Sequence, residues 1–155
     1  FLMRMKGWNR TLARNQDGEL IFRALFRGAR VAQSMAGFGI YVQHDSPFRI
    51  TRNITTASLE TELRIARWLV REISARGWLD GPMQRTLIRH AHRWWRNAVK
   101  SEVSDFAAQF QSLWRSLGGR RHEGSTIDRL GAVLLGLEGR ERLARRLRPW
   151  LPRGC

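Results

Sequence analysis

The sequence predicts an α+β fold, predominantly helical, forming a single domain over residues 1–155 with one β-hairpin. Apolar residues recur at three- and four-residue spacing through most of the chain, which is the period of a helix with one buried face. One segment, residues 38–51, breaks that period with β-branched and aromatic residues on either side of His44-Asp45-Ser46-Pro47, a turn-forming cluster. The composition, 43% hydrophobic with seven Trp, seven Phe and only four Pro, is that of a folded chain, and its length suits one core.

The elements follow in order. Residues 17–37 read as a helix capped by Asp17 and stopped by Gly37, with Ile21, Leu25, Ala32 and Met35 near one face. Arg23, Arg27 and Arg30 form a basic stripe beside that face. After the hairpin, residues 58–76 place Leu59, Leu63, Ala66, Val70 and Ile73 on an apolar stripe. Glu60 and Glu62 fall in the first turn, and Gly77 lies just past the end. Asp80-Gly81-Pro82 opens the next helix, because proline suits a first turn where its missing N–H has no partner to lose. Leu87, Ala91, Trp94 or Trp95, and Ala98 face inward there, while Arg85, Arg89, Arg93 and Arg96 line one side. A third helix begins at Ser101, carries Val103, Phe106, Phe110, Leu113 and Leu117, and stops at Gly118-Gly119. Ser125 or Thr126 then caps a short helix with Ile127, Leu130, Leu134 and Leu137, and a final basic helix ends at Pro149.

Charge points to partners. With 28 basic against 13 acidic side chains the formal net charge is +15, which favours nucleic acid, an acidic protein or an anionic membrane surface. Only Lys6 and Lys100 are lysines; the rest are arginines, whose planar forks grip phosphate bidentately and stack on bases. Nucleic-acid contact is expected from Arg23, Arg27, Arg30, Arg85, Arg89, Arg93, Arg96, Arg142, Arg145 and Arg146, with DNA ahead of RNA. The lone Cys155 allows no intramolecular disulfide, and no apolar run approaches a membrane span. The opening FLMRMKGW is too short and too charged for a secretory signal. These features fit a cytoplasmic protein, peripheral at the inner membrane if its basic faces dock on lipid.

The stretch GGRRHEGS, residues 118–125, carries the parts of a phosphate site. Gly118 and Gly119 allow close approach, Arg120 and Arg121 supply charge, and Ser125 or Thr126 starts a helix whose unpaired N–H groups favour an anion. The same residues also read as a helix C-cap followed by a plain connection. His122 and Glu123 are candidates for general base or magnesium ligand in phosphodiester cleavage, or surface residues. His90 and His92, two apart on a helix, cannot chelate together, and His92 reads as part of the basic face. Trp94-Trp95 reads as core, with base stacking as the alternative.

GGRRHEG resembles the GERRxRA box of the ParB family. ETELRIARWLVREISARGWLDGPM resembles that family's helix followed by a GLLxPI-like turn, here Gly77 to Pro82. The two stretches cover about a quarter of the chain. The resemblance implies a divergent ParB/sulfiredoxin-like fold, phosphate contact by Arg120 and Arg121, and acid, base or metal work by Glu123. Divergent members include plasmid-borne fertility-inhibition factors that block transfer of a rival plasmid by conjugation, some with nuclease and ATPase activity. A DNase or ATPase using Mg2+ and ATP is therefore the sharpest expectation. Gly119 stands where that box has glutamate, and about 40 residues separate elements that the family joins by a short strand pair. A noncatalytic helical DNA-binding regulator and a basic module docking on an acidic protein or membrane surface are the readings from other classes.

Overall fold

Five helices arise where capping residues and apolar stripes agree: α1 (Gln16–Phe26), α2 (Thr56–Ala75), α3 (Gly81–Lys100), α4 (Ser104–Ser116) and α5 (Thr126–Leu147). The computed structural model describes residues 3–32, 36–37, 54–120 and 125–147, and every regular element among them is helical. The expected α+β class is thereby corrected to all-α. Among the described residues the core is built from helix faces, with Leu12 and Met5 added from the turns before α1. The expected hairpin over residues 38–51 lies outside the described residues.

Local chemistry fixes the helix ends. Thr55 and Ser58 form a reciprocal capping box at the start of α2, and the Asp80 side chain accepts from Met83 N–H at 2.8 Å at the start of α3, where Pro82 sits in the first turn. Four helices stop in the same way, by paired 6→1 and 5→2 hydrogen bonds around a left-handed residue. That residue is Gly28 after α1, Gly77 after α2 and Gly118 after α4, but Glu102, at φ 59°, after α3. The expected helix over residues 17–37 is therefore shorter, because Gly28 ends it before Gly37 is reached. Its inward face is also corrected: Glu19, Leu20 and Ala24 are buried, and Ile21 is exposed.

α3 is the central element, packed against α2, α4 and α5. Leu59 and Leu63 of α2, Trp94, Trp95, Ala98 and Val99 of α3, and Ala107 and Phe110 of α4 form one core cluster. A second joins Ile65, Leu69 and Ile73 to Leu87, Ala91, Trp114 and Leu117. Both adjacent tryptophans of α3 are buried. Trp95 stacks on Trp114 with ring centroids 6.3 Å apart, and Trp94 stacks on Phe110 at 6.4 Å. His92 is not on the basic face as expected: it is 2% exposed, its ring 5.4 Å from both Trp95 and Trp114.

Gly136, at φ 72° and ψ 161°, breaks α5 into two helical pieces, before Leu137, which is expected in the first of the two helices. Leu130 and Leu134, expected inward, are exposed, whereas Ala132 and Glu141 are buried and Leu137 packs against both core clusters. Among the described residues, no helix is long and apolar enough to cross a membrane.

Candidate nucleic-acid interface

α3 carries Arg85, Arg89, Arg93, Arg96 and Lys100 and not one Asp or Glu over its 20 residues. It is the only described helix without an acidic side chain. Its apolar side faces the core, so the cations emerge together on the other side. Arg85, Arg89 and Arg93 are exposed and recur every four residues, about 6 Å apart along the axis. Among the described residues no carboxylate lies within ion-pair distance of these three. Grooves flank them, one bounded by Thr86, Arg89, His90 and Arg93, another by Arg89, Arg93, Arg96 and Lys100.

The remaining predicted arginines are dispersed. Arg23 pairs with Glu19 at 2.9 Å and donates to the carbonyls of Met5 and Gly7, tying the first turns of the chain to α1. Arg27 donates to the Arg4 carbonyl at 3.3 Å, and Arg30 lies exposed beyond the end of α1, so the three form no single stripe. Arg96 is half-buried against Glu141, with Nε 2.8 Å from Oε1. Glu141 is fully buried and also meets Arg140 at 2.5 Å and Lys100 at 3.6 Å, which clamps α5 onto α3. Arg142 pairs with Glu138 at 2.8 Å, Arg146 is exposed near the end of α5, and Arg145 belongs to the same helix.

A basic row that the sequence reading passed over lies on α2. Arg64 donates to the Thr11 carbonyl at 3.1 Å, Arg67 to Gln109 at 3.1 Å, and Arg71 sits 3.9 Å from Glu72. Three acidic residues share that helix, so its charge is balanced where that of α3 is not.

In the loop, Gly118, Gly119 and Ser125 have structural roles. Gly118 is the left-handed stop of α4, and a Cβ on Gly119 would run into the indole of Trp114. Ser125 caps α5 by accepting from Asp128 N–H at 3.2 Å, while Asp128 accepts from Ser125 N–H at 3.0 Å. That reciprocal box occupies donors an anion would use. Thr126 is the first residue of α5 and exposed, as is Arg120 at the other end of the loop. Arg121, His122 and Glu123, on which the expectation of Mg2+ and ATP chemistry rests, lie outside the described residues.

The structure also assembles a polar cavity that the sequence reading did not anticipate. Asn15, the left-handed residue before α1, brings its side chain within 3.4 Å of Glu62 on α2. Arg14 Nε and His90 Nε2 each lie 3.9 Å from the same carboxylate. Burial raises the Glu62 carboxyl above its ordinary range despite Asn15, Arg14 and Arg93, and burial together with Arg93 lowers His90 to about 4. Glu62 is expected in the first turn of its helix, but that turn starts two residues earlier and Glu62 is buried. The legible signal was its place in the run Leu59, Glu62, Ala66, Leu69, Ile73, a carboxylate on the apolar stripe.

The chain matches no protein-family model, no curated protein and no solved structure.

Proposed function

We propose that this protein binds nucleic acid, with the exposed arginine ridge of α3 as its main contact surface. The observation that carries this reading is the acid-free α3: Arg85, Arg89 and Arg93 present exposed guanidinium groups, none ion-paired to a carboxylate among the described residues, in a line on a helix held rigid by the core behind it. Phosphates approaching that line displace counterions and gain charge-assisted hydrogen bonds, so binding is strong at low salt and weakens steeply as salt is added. No base-edge contact is implied by the ridge itself, and affinity for duplex DNA of different sequence is similar. The net charge of +15 steers any polyanion toward the molecule, and the ridge decides where it rests.

Two double variants with the same charge change test this. Arg85→Ala/Arg89→Ala removes two of the three ridge arginines, and Arg67→Ala/Arg71→Ala removes as much charge from α2. Fluorescence anisotropy with labelled duplex DNA and its single strand is expected to show about tenfold weaker binding for the α3 pair and little change for the α2 pair. Equal losses would reduce the interaction to net charge, and no salt-sensitive binding by the parent protein would remove the reading altogether.

A further inference from the structure

A cavity of about 680 Å³ opens beside the ridge, between the turn before α1, the first half of α2 and the middle of α3. Arg93 belongs to both, so a strand lying along the ridge passes the cavity mouth. The side chain of Glu62 in its wall is only 3% exposed. Its single described hydrogen bond is the long one from Asn15, at 3.4 Å, while a carboxylate can accept about four. Trp94, 5% exposed and also in the wall, has no hydrogen-bond partner for Nε1, and His90 has none for Nε2. Buried polar atoms left without partners are exceptions in native structures and call for an explanation. The Arg14 guanidinium lies 5.3 Å from the centroid of the Trp94 ring, whose own stacking partner is Phe110, so what the cavity offers a base is the planar arginine backed by that ring.

The chemistry of the wall selects the occupant. A phosphate would meet the Glu62 carboxylate, and a metal cation would meet Arg14 and Arg93. A neutral, planar group fits if it offers two adjacent donors to the carboxylate and acceptors to Trp94 Nε1 and His90 Nε2. Among the nucleobases guanine has that pattern: N1–H and N2–H side by side on one edge, with O6 and N7 as acceptors. Adenine, cytosine and thymine each place at most one donor beside an acceptor on that edge.

We infer that the Glu62 cavity takes an unpaired guanine base, its N1–H and N2–H donated to the carboxylate, its acceptor edge served by Trp94 and His90. The base comes either from a strand held on α3, in which case the inference rests on the nucleic-acid reading above, or from a free guanine nucleotide.

The test has two arms. In the first, labelled thymidine single strands with one central guanine, inosine or adenine are titrated at fixed low salt by anisotropy. The guanine strand is expected to bind about tenfold more tightly than the adenine strand, with inosine, which lacks the N2 amine, between them. Glu62→Gln is expected to erase the preference and keep the affinity for the adenine strand; far-UV circular dichroism reports whether it folds, and the inosine comparison needs no variant. In the second arm GMP and AMP are added to the protein while the Trp94 indole N–H signal is followed by NMR. A shift with GMP alone identifies the free nucleotide as a source, and a strand preference without that shift identifies the strand. Equal binding of guanine and adenine strands with no GMP shift overturns the inference and leaves the ridge intact. Loss of all strand binding removes the ridge reading, and the GMP arm then decides the cavity by itself.

Discussion

Buried Glu62 and half-buried His90 lie 3.9 Å apart in the cavity wall, and they move stability in opposite directions with pH. His90 is held at about 4 instead of its ordinary 6.5, first by burial and then by the Arg93 charge. Between those values the unfolded chain binds a proton that the folded chain does not, so His90 contributes stability that is complete above 6.5 and lost as pH falls toward 4. Glu62 is shifted upward, mainly by burial, against opposing pulls from Asn15, Arg14 and Arg93. Its neutral form favours the fold, so its contribution is present below 4.5 and is lost as pH rises through the raised value. Asp17 and Arg14, which line the same cavity, stay in place in both variants that follow. Urea unfolding across the acid range is expected to show a flatter acid limb for His90→Gln, whereas Glu62→Gln is at least as stable as the parent in mildly alkaline buffer. Parallel curves for all three proteins would contradict this assignment.

At the scale of elements, the stops matter as much as the stripes. Gly119 lies against the Trp114 indole, which in turn stacks on Trp95 and flanks His92. Gly119→Ala is therefore expected to lower stability by about 1–3 kcal/mol, read as a lower urea midpoint, because the indole must leave its place in the core. A midpoint equal to the parent's would show that the indole yields without cost. Some helix ends were legible in the sequence because their chemistry is local: Asp80 with Pro82 starts α3, and Gly77 and Gly118 stop α2 and α4. Others were not: α1 is preceded by Asn15 rather than capped by Asp17, α2 starts two residues before Ser58, and α4 starts at Ser104 rather than Ser101. Gly28 ends α1 although the apolar spacing runs on past it, and the stop after α3 uses Glu102, a residue type that seldom adopts a left-handed conformation. The α+β class failed for a related reason. β-branched residues around a turn describe a segment's preference, while fold class is set by what fills the core, here the faces of α2, α3 and α4.

Across the whole molecule, the arginines were legible as a feature of composition but not as a surface. Periodicity placed Arg85, Arg89 and Arg93 on one side of a helix, and the structure puts them there. The pairing of Arg23 with Glu19 is a local i,i+4 contact, but periodicity could not show that Arg96 is drawn to Glu141, since those two meet only through folding. Nor could it join Asn15, Glu62 and His90, three residues from three elements that tertiary packing alone brings within reach of one another. The unbalanced charge of α3 against the balanced charge of α2 is what turns a net +15 into a localised basic ridge, and the proposed interface rests on it. The most direct measurement of that claim is the salt dependence of duplex DNA binding, compared between the parent protein and Arg85→Ala/Arg89→Ala/Arg93→Ala. Each phosphate contact contributes about 0.9 to the slope of log affinity against log salt, so loss of the ridge is expected to shallow the slope by about 2–3. An unchanged slope would place the phosphate contacts elsewhere and contradict the account.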